Sequence, residues 1–180
     1  MTPPPHQGHL WLIGMMGSGK TTVGALVARR LGLDFEDTDH MVEAATAMRL
    51  PALWAIDHGA TFRMAEAAAI AAVASLPEPQ VVAAGGGAVL DPVSADLMRR
   101  SGTVVWLTAS PPVLAERVDG EGDRPLLSAA GPGSVADRLE AVLAERRERY
   151  AAVAHQRIAT DDLNADRVAH QVEARWVGVT

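Results

Sequence analysis

Gly14-Met15-Met16-Gly17-Ser18-Gly19-Lys20-Thr21 is the stretch in which residue type and spacing most directly specify chemistry. A glycine, four residues and then Gly-Lys-Thr is the phosphate-cradling P-loop pattern. Its glycines let the backbone curl around an anion without Cβ clashes. Lys20 is placed to reach terminal phosphates, and the Thr21 hydroxyl to hold Mg²⁺. Lys20 is also the sole lysine among sixteen basic residues, the other fifteen being arginine. In a chain biased so strongly towards arginine, a lysine at this position matches the need for a compact ammonium on a flexible stem.

The flanks predict how the loop is positioned. Leu10–Ile13 is a short apolar run suited to a buried strand, and Thr22–Leu31 carries the three- and four-residue spacing of a helix. The loop would then end at a helix N-terminus, where free N–H groups and the positive end of the dipole meet the anion. Gly32 is a natural C-cap. Further strands are expected at 33–36, 80–84, 103–107 and 156–160. Helices are expected at 40–48, capped by Thr38 or Asp39, at 51–58, and at 62–76, capped by Thr61. Others should run at 92–100 after an Asp91 cap, at 111–118, over 134–153, and to Trp176 after an Asn164 cap. Strands alternating with helices imply an α/β three-layer sandwich, a central parallel sheet of about five strands covered on both faces. Residues 1–180 read as one domain with a loose, proline-rich tail at 1–9. The segment 119–133, rich in Gly, Asp and Pro, reads as a lid.

Composition excludes several classes. Net charge is −6, with no basic stripe or aromatic ladder, which argues against a nucleic-acid partner. With no cysteine, neither disulfides nor thiolate metal sites can form, and the six histidines show no ligand spacing. No segment has the length of a membrane span, and the N-terminus lacks the basic region of a signal peptide, so a cytoplasmic protein is expected.

Five further features follow the loop in order: Asp37-Thr38-Asp39; Phe62-Arg63 with Glu66; Gly85-Gly86-Gly87 after a strand; Arg124-Pro125-Leu126-Leu127 preceded by Arg117; and Arg146 four residues before Tyr150. Together with the P-loop, this ordered set resembles the shikimate kinase family over about residues 10–176. The resemblance implies a P-loop kinase fold with a lid at 119–133 and an acceptor-binding helical region at 36–76. It implies ATP-dependent phosphorylation of the 3-hydroxyl of shikimate, on the route to aromatic amino acids, by a monomer.

The resemblance also assigns roles. Gly17, Ser18, Gly19, Lys20, Thr21 and Thr22 would bind ATP phosphates, and Arg117 would stack on adenine. Arg124 would fold over with the lid and neutralise charge on the transferring group, beside Lys20 and Mg²⁺. Thr21 and, through water, Asp37 would support Mg²⁺. Asp39 would accept the hydroxyl proton or orient the hydroxyl, although an Asp there also suits a helix cap. Arg63 and Arg146 would clamp the shikimate carboxylate, a task that suits the guanidinium fork, while Gly85, Gly86 and Gly87 would offer backbone N–H groups. Only family register selects Arg146 over Arg147. Glu66 would either orient Arg63 or be a surface residue.

Three departures lie on the acceptor side. His58-Gly59 replaces a usual Gly-Glu, Leu50-Pro51 a common Ser-Ile, and Glu148-Arg149 a usual Pro-Leu. The competing readings are a gluconate kinase-like or other small-molecule kinase, which would not require Asp39, Arg63, the glycines and Arg146 together, and a non-catalytic ATP-binding module. Against the latter, Lys20, Thr21, Asp37, Asp39 and Arg124 are all retained.

Overall fold

Strand β1 (His9–Ile13) is buried at every residue, because it lies at the centre of a sheet covered on both faces. The computed structural model describes residues 8–118 and 133–178. The order of elements is β1, α1 (Lys20–Leu31), β2 (Asp34–Asp37), α2 (Thr38–Thr46), α3 (Leu50–Asp57), α4 (Ala60–Ala74), β3 (Gln80–Ala83), a 3₁₀ turn (Ala88–Leu90), α5 (Pro92–Ser101), β4 (Gly102–Thr108), α6 (Pro111–Val118), α7 (Val135–Val153), β5 (Gln156–Ala159) and α8 (Ala165–Trp176).

The strands form a parallel sheet in the order β2-β3-β1-β4-β5. Leu12 pairs with Ala83 on one side and Val105 on the other. Alternate side chains feed two cores. Trp11, Ile13, Val82, Val104 and Trp106 pack with Ile70, Met98, Leu139 and Tyr150. Leu10, Leu12, Val81, Val105 and Leu107 pack with Val27, Val168, Val172 and Trp176. A sheet apolar on both faces explains the unbroken hydrophobic runs of β1 and β4. A third, smaller cluster of Val42, Leu53, Phe62 and Ala69 knits α2, α3 and α4 together. All strands being parallel, their C-terminal ends lie along one edge, the usual position of a site in such folds. Asp37 is the last residue of β2, and the P-loop, Gly85–Gly87 and Thr160 follow the ends of β1, β3 and β5.

Local chemistry mostly follows expectation. Asp91 and Asn164 cap α5 and α8 through their side chains as expected, whereas Ser134, expected as the first residue of its helix, instead caps α7 in a reciprocal capping box with Asp137. Two expected caps are corrected. Helix α2 starts at Thr38, two residues early, and its cap is Asp37, whose Oδ1 accepts the Asp39 N–H at 3.0 Å. Asp37 sits one residue before the first helical turn, so it alone has the extended backbone a cap needs. Thr61 does not cap α4. That helix begins after Gly59 in a left-handed conformation, and the Thr61 hydroxyl turns back to Asp57 at 2.6 Å. Helix α1 begins at Lys20, not Thr22, so Lys20 and Thr21 stand in its first turn. The 3₁₀ turn after the glycines was not foreseen.

Candidate active site

The loop between β1 and α1 needs its glycines. Gly14, Gly17 and Gly19 have φ of 145°, 76° and 91°, which L side chains rarely adopt. At its end the Lys20 ammonium donates to the carbonyls of Gly14 (3.0 Å) and Met15 (2.9 Å). These contacts hold the lysine across the loop mouth. The Ser18 hydroxyl is buried with no hydrogen-bond partner among the described residues, an unmet donor inside an anion cradle. The Thr21 hydroxyl donates to Asp37 Oδ2 at 2.7 Å. Asp37 therefore serves two elements, capping α2 with one oxygen and meeting the first turn of α1 with the other.

Among the cavities that the described residues form on this edge, two adjoin at the start of α1. The larger, about 410 Å³, runs from Gly17–Thr22 past Asp37 and Asp39 to Arg117 and Thr160. Arg117 is clamped there, donating to the Thr160 hydroxyl (2.9 Å) and carbonyl (2.8 Å). The smaller cavity, about 120 Å³, is lined by Trp54, Phe62, Arg63, Glu66, Gly86, Gly87 and Arg146. Met16, Lys20 and Asp39 line both. Thus the only lysine and one carboxylate stand where an anion cradle meets a second compartment.

That second compartment is lined with cationic groups that are themselves held in place. Arg63 ion-pairs with Glu66 Oε2 at 2.5 Å. Its guanidinium carbon lies 5.4 Å from the Trp54 ring centroid and 5.0 Å from that of Phe62, so aromatic faces fix its plane. Glu66 is buried, and its Oε1 has no hydrogen-bond partner among the described residues. Burial pushes its carboxyl above the usual range, opposed by the Arg63 charge and reinforced by Asp39. Arg146 is buried on α7 and donates to the Gly86 carbonyl at 3.1 Å. Arg147 points elsewhere, its side chain 57% exposed and 3.9 Å from Glu140.

The glycine turn has no room for side chains. A Cβ on Gly85 would collide with Glu66 Oε1 and lie 3.0 Å from Asp39 Oδ1, and one on Gly87 would collide with the Arg63 guanidinium. Thr38, fully buried, accepts the Gly85 N–H at 2.9 Å and ties this turn to the start of α2.

The structure therefore gathers Gly17, Ser18, Gly19, Lys20, Thr21, Thr22, Asp37, Asp39 and Arg117 around one cavity. It gathers Arg63, Gly86, Gly87 and Arg146 around the other, with Gly85 against Glu66 and Asp39. Arg124 and most of the expected lid lie outside the described residues. Thr38, Trp54 and Thr160, which brace or line this edge, were not singled out from the sequence. Thr38 stands between two carboxylates that drew attention from it, and the roles of Trp54 and Thr160 depend on contacts distant in sequence.

A family model for shikimate kinase matches residues 16–176. The chain belongs to the shikimate kinase family. A shikimate kinase of Symbiobacterium thermophilum is 44% identical over 163 residues, 89% of this chain and 91% of the relative. One from Moorella thermoacetica is 42% identical over 166 residues, 92% of each. Among solved structures, the shikimate kinase of Acinetobacter baumannii in complex with shikimate superposes with a TM-score of 0.89 at 29% identity, over 96% of this chain and 94% of that one. A gluconokinase of Sinorhizobium meliloti, at 21% identity and a TM-score of 0.59, shares the fold alone. Family membership thus matches a site built from a phosphate cradle and an arginine-lined compartment meeting at Lys20 and Asp39.

Proposed function

We propose that this shikimate kinase family member transfers the γ-phosphoryl group of ATP to the 3-hydroxyl of shikimate, with ATP in the larger cavity and shikimate in the smaller. The observation that carries this reading is the junction of the two cavities at Lys20 and Asp39. In-line transfer requires donor phosphate and acceptor hydroxyl to meet at one point, with a cation and a proton acceptor beside it.

The loop N–H groups, the Ser18 and Thr22 hydroxyls and Lys20 hold the phosphates. Arg117, fixed by Thr160, lies against the adenine. Arg63 and Arg146 take the shikimate carboxylate, which lies beside the N–H groups of Gly86 and Gly87. Asp39 accepts the proton of the 3-hydroxyl or aims that oxygen at the phosphorus. The cap of α2 is Asp37, not Asp39. Arg124, with the segment 119–133 as a lid, adds positive charge to the transferring group.

Mg²⁺ fits the Thr21–Asp37 corner. A hydroxyl and a carboxylate 2.7 Å apart are hard oxygen donors. Mg²⁺ usually keeps several waters and shares phosphate oxygens, so few protein donors are needed. Bound there, it would neutralise charge on the β- and γ-phosphates.

No helix among the described residues is long and apolar enough to cross a membrane. From the family resemblance we assign a cytoplasmic monomer. The test is ADP release with Mg²⁺ and ATP, comparing shikimate, gluconate and no acceptor. Shikimate-dependent release with a product heavier by one phosphate supports the reading. Release that ignores shikimate, with ATP binding intact, refutes the assignment of the acceptor.

A further inference from the structure

The Gly86 carbonyl is the junction between the acceptor compartment and the core. It accepts two donors from α7, the Tyr150 hydroxyl at 2.5 Å and Arg146 Nη1 at 3.1 Å. The two residues are four apart and therefore share one helix face. Two donors use both lone pairs of that oxygen. Tyr150 is fully buried, and its ring stacks on Trp106 at 5.4 Å between centroids and 18° between planes. Its hydroxyl also lies 3.7 Å from Met15 Sδ in the P-loop. The Gly86 backbone faces the same loop, since a Cβ there would lie 3.4 Å from the Gly14 carbonyl oxygen and 3.8 Å from Met16 N.

We propose that the Tyr150 hydroxyl is a positioning group for the acceptor. By holding the Gly86 carbonyl it fixes the Gly86–Gly87 peptide plane, and with it the direction of the Gly87 N–H and the seat of the Arg146 fork. The peptide is trans, so a carbonyl drawn towards the core sends the Gly87 N–H the opposite way. Arg146 donates Nη1–H to the same oxygen, so the carbonyl that Tyr150 holds also seats the guanidinium. Burial raises the phenol pKa to about 12, so the hydroxyl remains a donor throughout the working range.

The inference rests on shikimate occupying the smaller cavity. If that reading fails, it fails already in the wild-type protein, as ADP release indifferent to shikimate. If the inference alone fails, the wild type is active and the variants below behave otherwise than expected.

Tyr150→Phe keeps the ring and removes one hydrogen bond. It should raise the shikimate KM about tenfold, the effect of losing one hydrogen bond of ordinary strength, while the ATP KM stays within about twofold. Trp106→Phe keeps the hydroxyl and trims the stack. It should lower Tm while leaving the shikimate KM within about twofold. A wild-type shikimate KM in Tyr150→Phe, or an equal rise in Trp106→Phe, would overturn the proposal, because packing alone would then explain the effect. Tyr150 is also the only tyrosine in the chain, so 3-fluorotyrosine incorporation labels this ring alone without a variant. Its ¹⁹F resonance should shift on addition of shikimate without nucleotide, and an unmoved resonance in a protein that binds shikimate would equally overturn it.

Discussion

Gly87→Ala isolates the placement of Arg63. Gly87 has φ −105° and ψ −3°, a conformation open to alanine. The substitution therefore carries no intrinsic backbone strain. Its whole effect comes from the new methyl, which would occupy the space of the Arg63 guanidinium. The guanidinium is the far end of a flexible side chain, so it moves and the backbone stays. Once displaced, Arg63 leaves its aromatic faces and its pairing with Glu66, and with them the place proposed for it opposite the shikimate carboxylate. Losing a charge-assisted contact of this kind costs about 2–3 kcal/mol, or about 30- to 150-fold in shikimate affinity. The assay is calorimetric shikimate binding with steady-state KM for both substrates. The ATP KM should stay within about twofold, because the phosphate cradle is built elsewhere. A double-variant cycle sharpens the test. If Gly87→Ala acts only through Arg63, then adding it to Arg63→Ala costs nothing further. Additive losses, or a wild-type shikimate affinity in Gly87→Ala, would refute the reasoning.

Asp39→Asn should lower kcat about 10²- to 10⁴-fold with ATP binding and Tm retained, since Asp37 caps the helix; near-normal turnover would show that Asp39 plays no part in proton transfer. Glu66→Gln removes a buried charge that burial disfavours, so Tm should hold or rise while the shikimate KM increases as Arg63 loses its counter-charge; melting curves and kinetics check both halves. Stability should fall in mild acid. His9 and His155 each accept a backbone N–H at Nδ1, from Gln80 (3.2 Å) and Val104 (3.0 Å), and burial, with Arg99 beside His155, holds both below the usual 6.5. The unfolded chain therefore binds protons first, and stability present above pH 6.5 is lost as pH falls through and below it; a Tm flat between about pH 7.5 and 5 would contradict this.

Features decided within a few residues were legible in the sequence. The P-loop is one, because its glycines, lysine and threonine act through the backbone they belong to. The caps at Asp91 and Asn164 are others, each closing on a backbone N–H three residues on. The alternation of apolar runs with helical periods was enough to imply the parallel sheet, since strands buried on both faces must be apolar throughout.

Tertiary structure decided what local chemistry left degenerate. In Asp37-Thr38-Asp39 every residue is a competent cap, and the start of α2 selected Asp37 for capping and Thr38 for the glycine turn. In Glu145–Arg149 several charges share one local pattern. Only the packing of α7 buries Arg146 against Gly86 and leaves Arg147 in solvent. Glu66 on an alanine-rich helix could have been a surface charge, but α4 places it under Gly85 beside Asp39. In each case the chain carries the functional group, while its burial and partners come from elements up to 135 residues away, as in Tyr150 against Met15. Sequence spacing specifies such contacts only through the fold that brings them together.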